Sequence, residues 1–175
     1  MAHRGDQGGI LAGLARSPSH PRRLRARGDG LAAHAPRRCS VTVHYSFAPP
    51  TAAEFATLYA ETGWAEWSLE TFERALAGSW VVCTARDGDG HLIGLGRLIS
   101  DGALHAFVTE MIVATAARGS GIGSEILRML VAESRRRGVH DIQLFAARGR
   151  AAFYERHGFA PRAAEGPGMD IVAER

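Results

Sequence analysis

Two short amphipathic segments open the patterned part of the chain. Thr51 is followed by Glu54 at the spacing of a capping box, and the helical periodicity after it stops near Gly63. Ser68 is a suitable N-cap for the second segment, and Gly78 is a suitable end. The apolar faces are formed by Phe55, Leu58 and Tyr59 in the first segment and by Leu69, Phe72 and Leu76 in the second. The pattern predicts two consecutive helices.

Three apolar runs with the composition of strands follow these helices. They are separated by the Asp-Gly pairs of residues 87–90 and 101–102, which are strong turn signals. Strands joined by such short connections pair in antiparallel fashion with their neighbours. The sequence therefore predicts an antiparallel meander with strands at residues 80–85, 92–99 and 104–113.

A longer amphipathic segment begins after the third run. Its apolar positions recur at helical spacing and are Ile122, Ile126, Met129 and Leu130. It closes with the arginines at 135–137 before Gly138, and positive charge there favours the negative end of a helix dipole. A strand at 142–146, a short helix at 151–157 and a last strand at 169–172 complete the pattern. Together these elements predict an α/β (α+β) fold with a mixed, mostly antiparallel central sheet and helices on both faces.

Composition divides the chain near residue 40. Residues 1–40 hold eight arginines against Asp6 and Asp29, whereas the remainder holds thirteen arginines against sixteen acids, so the net charge of +3 comes from the first segment. This segment has no sustained period and is predicted to be a disordered, arginine-rich extension. We interpret it as an upstream extension rather than a nucleic-acid arm or an organelle presequence. Residues 41–175 are predicted to form one domain.

Cysteine usage and hydropathy narrow the class of protein. Cys39 and Cys83 cannot build a disulfide framework, and they lie too far from any histidine pair to suggest zinc. No apolar run approaches the roughly 18 residues that a membrane helix requires. These features predict a cytoplasmic protein with no metal, no nucleic-acid partner and no membrane partner.

The stretch of residues 118–123, RGSGIG, joins the third predicted strand to the long predicted helix. Glycines let the backbone approach a ligand closely, and N–H groups at a helix start favour an anion, so the turn predicts a phosphate site. A P-loop would need a lysine, and the chain has none. The dinucleotide fingerprint would need a glycine where Ser124 stands and an acid at the end of the next strand.

The turn has the pattern R-x-x-G-x-G, and the sequence Phe153-Tyr154 followed by Gly158-Phe159 stands downstream of it. With these two motifs in this order, residues 41–175 resemble the GNAT superfamily of acyl-CoA N-acyltransferases. The resemblance implies acetyl-CoA as co-substrate, with its pyrophosphate on the turn and its pantetheine arm between the strand ending at Val113 and the strand at Leu144. The residues implied to bind it are Met111, Ile112, Val113, Arg118, Gly119, Ser120, Gly121, Ile122, Gly123 and Ser124.

The resemblance also implies catalytic roles. Tyr154 stands where the family has a tyrosine that protonates the leaving thiolate, and we favour this role over the alternative, packing of the last helix against the sheet. Glu110 is the acid nearest the implied thioester and is the candidate base or water orienter, with a plain salt bridge as the alternative. Strand alternation places Glu110 on the face opposite Met111 and Val113 unless a bulge intervenes. Asp101 and His105 are weaker alternatives for the base.

Other segments bear on the acceptor. Many family members have an asparagine that touches pantetheine where this chain has Arg148, so that contact is not implied here, and contact of the arginine with a CoA phosphate is the alternative. Residues 58–64, 94–97, 100–102 and 167–169 look similar to a GNAT subgroup that includes arylalkylamine-type acetyltransferases. Trp64 and Trp67, between the first two predicted helices, are candidates either to line an acceptor pocket or to pack the helices together.

The resemblance and the residues together predict a single function. The chain is expected to be an acetyl-CoA-dependent N-acetyltransferase that acts by direct transfer to a primary amine of a small molecule or peptide. A non-catalytic acetyl-CoA-binding module of the same fold is the alternative. The sequence leaves the acceptor and the oligomeric state open, with a homodimer among the options.

Overall fold

The computed structural model describes residues 42–166 and residue 168. In this part of the chain the strands are β1 (His44–Ser46), β2 (Val81–Arg86), β3 (Leu92–Ser100), β4 (His105–Val113) and β5 (Asp141–Leu144). The helices are α1 (Ala52–Ala60), α2 (Leu69–Ala77), α3 (Ile122–Arg136) and α4 (Ala151–Glu155), with a 3₁₀ turn at Thr115–Ala117. The predicted extension at residues 1–40 and the predicted last strand at 169–172 lie outside the described residues.

Both predicted N-terminal helices are confirmed, and their caps explain where they begin. The Thr51 hydroxyl accepts a hydrogen bond from the backbone N–H of Glu54 at 3.2 Å, while the Glu54 carboxylate accepts one from the backbone N–H of Thr51 at 2.8 Å. The Ser68 hydroxyl accepts from the N–H of Thr71 at 3.2 Å. Leu69 was expected on the apolar face of α2 but is 54% exposed, because the contact with α1 is centred one turn later at Phe72.

The described strands form one sheet in the order β1-β2-β3-β4-β5. β1 to β4 pair in antiparallel fashion, and β5 returns through α3 to pair with β4 in parallel fashion. This confirms the predicted mixed, mostly antiparallel sheet. β1 was not predicted, since three residues are too few to show a period and only pairing with β2 defines them.

Helices cover both faces of the sheet, as predicted. α3 packs on one face against Val81, Cys83, Ala85, Leu98, Ala106 and Val108. α1 and α2 pack on the other face against Val82, Leu95 and Ile112. α3 lies directly on the backbone of β3, because a Cβ at Gly96 would come within 2.7 Å of Ile126 Cγ2. None of the helices in the described residues is long and apolar enough to cross a membrane.

A β-bulge interrupts β4 where it pairs with β3. Leu95 pairs with Ile112 and Arg97 with Thr109, so β4 has one residue more than β3 between these two pairs. Glu110 lies in this bulge with φ of 43°, a left-handed conformation that is uncommon outside glycine. The extra residue reverses the alternation of side chains along β4 from that point onward.

Candidate functional site

β4 and β5 pair over only part of their length. The pairing begins at His105 with Asp141 and ends at Val108 with Leu144. β4 continues beyond this point to Val113, where β3 remains its partner. The second half of β4 therefore presents main-chain hydrogen-bonding groups on the side facing away from β3, and no strand of the described residues pairs with them there. A peptide-like ligand can pair with such an edge.

The glycine turn, residues 118–123, follows the end of β4 and leads into α3. Gly119 and Gly121 have φ of 79° and 88°, which favours glycine at both positions. Within the described residues, no carbonyl accepts a hydrogen bond from the backbone N–H groups of residues 119–124, and the helix start has no side-chain cap. A Cβ built at Gly119 or Gly121 would meet no atom within 4 Å. The turn therefore offers a row of N–H donors at the positive end of the α3 dipole.

Side chains on both sides fix the shape of this turn. Arg118 Nε donates to the carbonyl of Val113 at 3.1 Å, which ties the turn to the last residue of β4. Ser120 Oγ donates to the carbonyl of Ala117 at 2.6 Å. Glu61, at the end of α1, accepts from the backbone N–H of Thr115 at 2.6 Å, and this bond lowers the pKa of its carboxyl. Arg118 shapes the turn in this arrangement, and its exposed guanidinium also adds positive charge beside the donors.

Gly123 has a different role from the other two glycines of the turn. A Cβ there would lie 3.5 Å from Val113 Cγ2 and 3.7 Å from Cζ of Phe153. The first turn of α3 is thus packed between the end of β4 and α4. This contact places the aromatic motif of α4 next to the glycine turn.

Tyr154 lies half-buried in α4 between two aromatic rings. Its ring centroid is 5.0 Å from that of Phe153 and 6.0 Å from that of Phe159. Burial raises the pKa of the Tyr154 phenol, while the charge of Arg150 lowers it. Gly158, with φ of 87°, lets the chain turn so that the N–H of Phe159 donates to the carbonyl of Tyr154 at 3.2 Å. The aromatic motif is therefore a helix ended by a left-handed glycine that holds a protonated phenol in place.

Glu110 lies on the face covered by α1 and α2. Its carboxylate pairs with Arg97, whose Nε donates to Oε2 at 2.7 Å. Met111 points to the opposite face, where its sulfur lies near Gly96 and α3. Strand alternation predicted that Glu110 and Met111 lie on opposite faces of the sheet if β4 had no bulge. The structure has a bulge at Glu110, and the two side chains still lie on opposite faces. Without the bulge, Glu110 would share the α3 face with Val108.

The weaker candidates for the base lie at the other end of β4. One carboxylate oxygen of Asp101 accepts from the backbone N–H groups of three residues, Ala103, Leu104 and His105, and these bonds lower the pKa of Asp101. His105 Nδ1 lies 2.6 Å from Asp141 Oδ2. Both side chains are at the paired end of β4, away from the glycine turn.

The loop between α1 and α2, residues 61–68, carries the two tryptophans. Trp64 is 47% exposed and Trp67 is 56% exposed, so neither is buried between the helices. Tyr59 contacts both, with its ring 5.5 Å from the Trp64 ring and its hydroxyl accepting from Trp67 Nε1 at 3.4 Å. Arg148, in the segment after β5, is also exposed. The structure therefore brings the backbone candidates and Tyr154 to one end of the sheet, with exposed aromatic rings on the nearby loop.

Sequence reasoning missed Arg97 and Glu61. Arg97 is 5% exposed within an otherwise apolar strand, and Glu61 holds the segment after β4. The signal for Arg97 was available, because a single charged residue inside the run LIGLGRLIS needs a buried partner. No sequence pattern pointed to Glu61, since its partner is a backbone group distant along the chain.

Comparison with known proteins gives a consistent result. The pattern of the Acetyltransferase (GNAT) domain matches residues 78–161. Serotonin N-acetyltransferase 2, chloroplastic, of Oryza sativa subsp. japonica is 32% identical over 106 residues, covering 59% of this chain and 53% of that protein. A histone acetyltransferase of Glycine max is 28% identical over 109 residues, covering 57% of this chain and 47% of that protein. The chain thus spans about half the length of these curated relatives.

A solved structure agrees over most of the fold. The GNAT-family acetyltransferase of Streptococcus pneumoniae superposes with a TM-score of 0.63 at 26% identity, covering 77% of this chain and 98% of that one. The glycine turn, the aromatic motif of α4, the strand order of the sheet and the matched domain all indicate the same family. The chain belongs to the GNAT superfamily of acyl-CoA N-acyltransferases.

Proposed function

We propose that this chain is an acetyl-CoA-dependent N-acetyltransferase that transfers the acetyl group directly to a primary amine of a small molecule or peptide. The observation that carries the proposal is that β4–β5 pairing ends at Val108 with Leu144, so that the rest of β4 has a free edge leading towards an open glycine turn. A strand edge followed by a row of N–H donors matches a ligand that has a peptide-like arm and a pyrophosphate.

The residues present fit acetyl-CoA in both respects. The N–H groups of residues 119–124 would bind the pyrophosphate, and the main chain of Met111, Ile112 and Val113 would pair with the pantetheine arm. Most of these contacts come from the backbone, so side-chain identity matters only at the glycines and at Arg118. The face of the turn is open, since no atom lies within 4 Å of a Cβ built at Gly119 or Gly121.

The chemistry of the proposal divides among three groups of this chain. Bound acetyl-CoA supplies the activated acetyl thioester. A main-chain N–H near Ile112 or Val113 polarises the thioester carbonyl. The Tyr154 phenol donates a proton to the departing sulfur, and its position in α4, which packs against the first turn of α3, supports this role.

Glu110 is the proposed acceptor of the amine proton, directly or through a water. An alkylamine with a pKa near 10.4 is about 0.1% neutral at physiological pH, so unassisted deprotonation costs about 4 kcal/mol. A carboxylate on β4 can lower this cost if it lies near the amine. Glu110 keeps 22% of its side chain exposed despite its pairing with Arg97, so an oxygen remains accessible.

Direct transfer without an enzyme-bound acetyl group is supported by the state of Cys83. This thiol is fully buried against α3, and burial raises its pKa to about 12. A thiol protonated at neutral pH and shielded from solvent is a poor nucleophile.

We place the reaction in the cytoplasm because the two cysteines of the chain are too few for a disulfide framework.

The acceptor is proposed to enter beside the α1–α2 loop, residues 61–68. Glu61 ties this loop to Thr115, directly after β4, so the exposed rings of Trp64 and Trp67 stand near the end of the strand. Exposed indole rings suit an amine with an aromatic body. The relatives include a serotonin and a histone acetyltransferase, so both arylalkylamines and lysine peptides belong in the first panel of acceptors.

Two measurements test the proposal. Acetyl-CoA at a hundredfold excess over Kd should stabilise the protein by about 2.7 kcal/mol, seen as a rise in Tm. Thiol release in the presence of the amine panel should then reveal turnover. A rise in Tm without turnover would favour the non-catalytic acetyl-CoA module, and no rise with millimolar acetyl-CoA would refute the proposal as a whole.

A further inference from the structure

Arg97 carries a buried charge next to Glu110, the proposed base. It is 5% exposed, on the face of β3 that α1 and α2 cover. A buried guanidinium is costly unless its donors are satisfied. Its partners come from two separate elements, the bulge of β4 and the C-terminal end of α2.

The contacts with α2 fix the guanidinium itself. Nη1 donates to the hydroxyl of Ser79 at 2.7 Å and to the carbonyl of Ala75. The carbonyls at the end of a helix lack partners within it and form the negative end of its dipole, so a cation there is stabilised. The ring of Phe55 lies 5.8 Å from Cζ of Arg97 and closes the site from α1. Two helices therefore hold Arg97 in one orientation.

The contacts with Glu110 use a single carboxylate oxygen. Nε donates to Oε2 at 2.7 Å, and Nη2 lies 2.6 Å from the same oxygen. Within residues 42–166, no donor forms a hydrogen bond with Oε1 of Glu110. Arg97 thus anchors one oxygen and leaves the other to a substrate or a water.

The same contacts hold an unusual backbone in place. A non-glycine residue at φ of 43° is strained and persists where its surroundings fix it. Arg97 pairs across the sheet with Thr109, the residue before Glu110, and grips the Glu110 side chain at the same time. Loss of Arg97 would free both the carboxylate and the bulge that presents it.

We infer that Arg97 is a positioning residue that holds Glu110 so that Oε1 can take the proton of the acceptor amine. This inference rests on the proposed function, because it gives Glu110 its role as base. Arg97 does not touch substrate and acts only through Glu110. Its effect should therefore appear in kcat and depend on the presence of the Glu110 carboxylate.

The test is a double-mutant cycle on kcat with Arg97→Met, Glu110→Gln and the double variant. We expect each single change to lower kcat by about 10²-fold, the lower range for loss of a positioned base, with KM for acetyl-CoA within threefold of wild type. The double variant should be within threefold of Glu110→Gln alone. Arg86→Met is the matched control, since it breaks another arginine–glutamate pair, with Glu54, away from the glycine turn, and should leave kcat unchanged.

Arg97→Lys covers the case in which Arg97→Met does not fold. It keeps the charge but replaces the planar fork with one ammonium group, so the fold should survive while kcat falls at least tenfold. A folded Arg97→Lys or Arg97→Met with the kcat of wild type would overturn the inference, as would losses that multiply in the double variant. If wild type binds acetyl-CoA yet acetylates no amine, the proposed function fails and this inference fails with it.

Discussion

The two ends of α3 are built on opposite principles. At the C-terminal end, the N–H groups of Gly138 and Val139 donate to the carbonyls of Arg135 and Ser134, and the Ser134 hydroxyl donates to the carbonyl of Val139. At the N-terminal end, no described carbonyl accepts from the N–H groups of residues 119–124. One helix thus has one end satisfied by the protein and one end whose donors face outward. The C-terminal end is therefore closed by the protein itself, whereas the N-terminal end leaves its donors open and is the proposed binding site.

Charges show the same contrast. At the C-terminal end, Glu133 pairs with Arg136 and Arg137 at 2.7 and 2.8 Å, and the Arg137 guanidinium lies 5.0 Å from the Trp80 ring. These contacts agree with the expectation that positive charge in this run stabilises the end of the helix. At the N-terminal end, Arg118 shapes the turn while its guanidinium remains exposed. The comparison can be tested by making equivalent changes at both ends.

The largest effect is expected from the same substitution at two left-handed glycines. Gly121→Glu and Gly138→Glu both place a side chain at φ near 90° with no atom within 4 Å of its Cβ. Each should lose about 1–2 kcal/mol of stability from backbone strain. Only Gly121→Glu should abolish the rise in Tm with acetyl-CoA, because it puts a negative charge among the N–H donors.

Calorimetry or thermal shift on both purified variants gives the answer. Equal affinity for acetyl-CoA in the two variants would show that the N-terminal end of α3 is not the phosphate site. Loss of affinity in both would point to a general effect on the fold.

The second prediction concerns the aromatic motif packed against the N-terminal end. Tyr154→Phe should lower kcat by about 10² to 10⁴ and leave the Kd of acetyl-CoA within a few-fold, because the general acid is lost while the ring volume is kept. Tyr45→Phe is the control, since Tyr45 is a partly buried tyrosine on β1 that packs against the same core. Kinetics and binding are measured on the same sample. A Tyr154→Phe variant as active as the control would assign the ring to packing alone.

The smallest effect is expected at the C-terminal end, and it depends on pH. Hydrogen bonds from Arg136 and Arg137 lower the pKa of Glu133 to about 2 from its usual 4.5. A depressed carboxyl pKa stabilises the fold above pH 4.5, and this contribution disappears as pH falls towards 2. Glu133→Gln should therefore lower Tm by about 3 °C at pH 7, as expected for a loss near 1 kcal/mol in a domain of this size.

The difference in Tm between wild type and Glu133→Gln should shrink between pH 4.5 and 2, and acetyl-CoA affinity at pH 7 should not change. Thermal melts at a series of pH values measure the first quantity, and titration calorimetry measures the second. A constant difference in Tm across this range would mean that Glu133 is not ionised in its pairs.

Local signals in the sequence were sufficient for most elements. Thr51 and Ser68 cap α1 and α2 as their positions predict, and the Asp-Gly turns bound the strands of the meander. These signals work because a cap or a tight turn involves residues only a few positions apart. The predicted strand at 142–146 was too long, however, since β5 ends at Leu144. The apolar run continues to Phe145, but its partner strand has already diverged.

Only part of the candidate site could be predicted from local signals in the sequence. The glycine turn and the aromatic motif are contiguous in sequence, so their residues and their order could be predicted. The sequence did not show whether β4 has a bulge at Glu110, because a bulge depends on how β3 and β4 align. Pairing across a sheet is decided by contacts between distant residues, and a run of alternating residues does not show where one strand gains an extra residue.

The sequence by itself determined the α3 terminus with its glycines, the helix caps and the turns between the strands of the meander, because each follows from backbone conformations that neighbouring residues favour. Tertiary structure alone decided that Arg97 reaches Glu110, that Glu61 holds Thr115 and that β5 leaves β4 after Val108. These contacts join residues far apart in the chain. They depend on packing of the whole sheet against its helices, which no local pattern encodes.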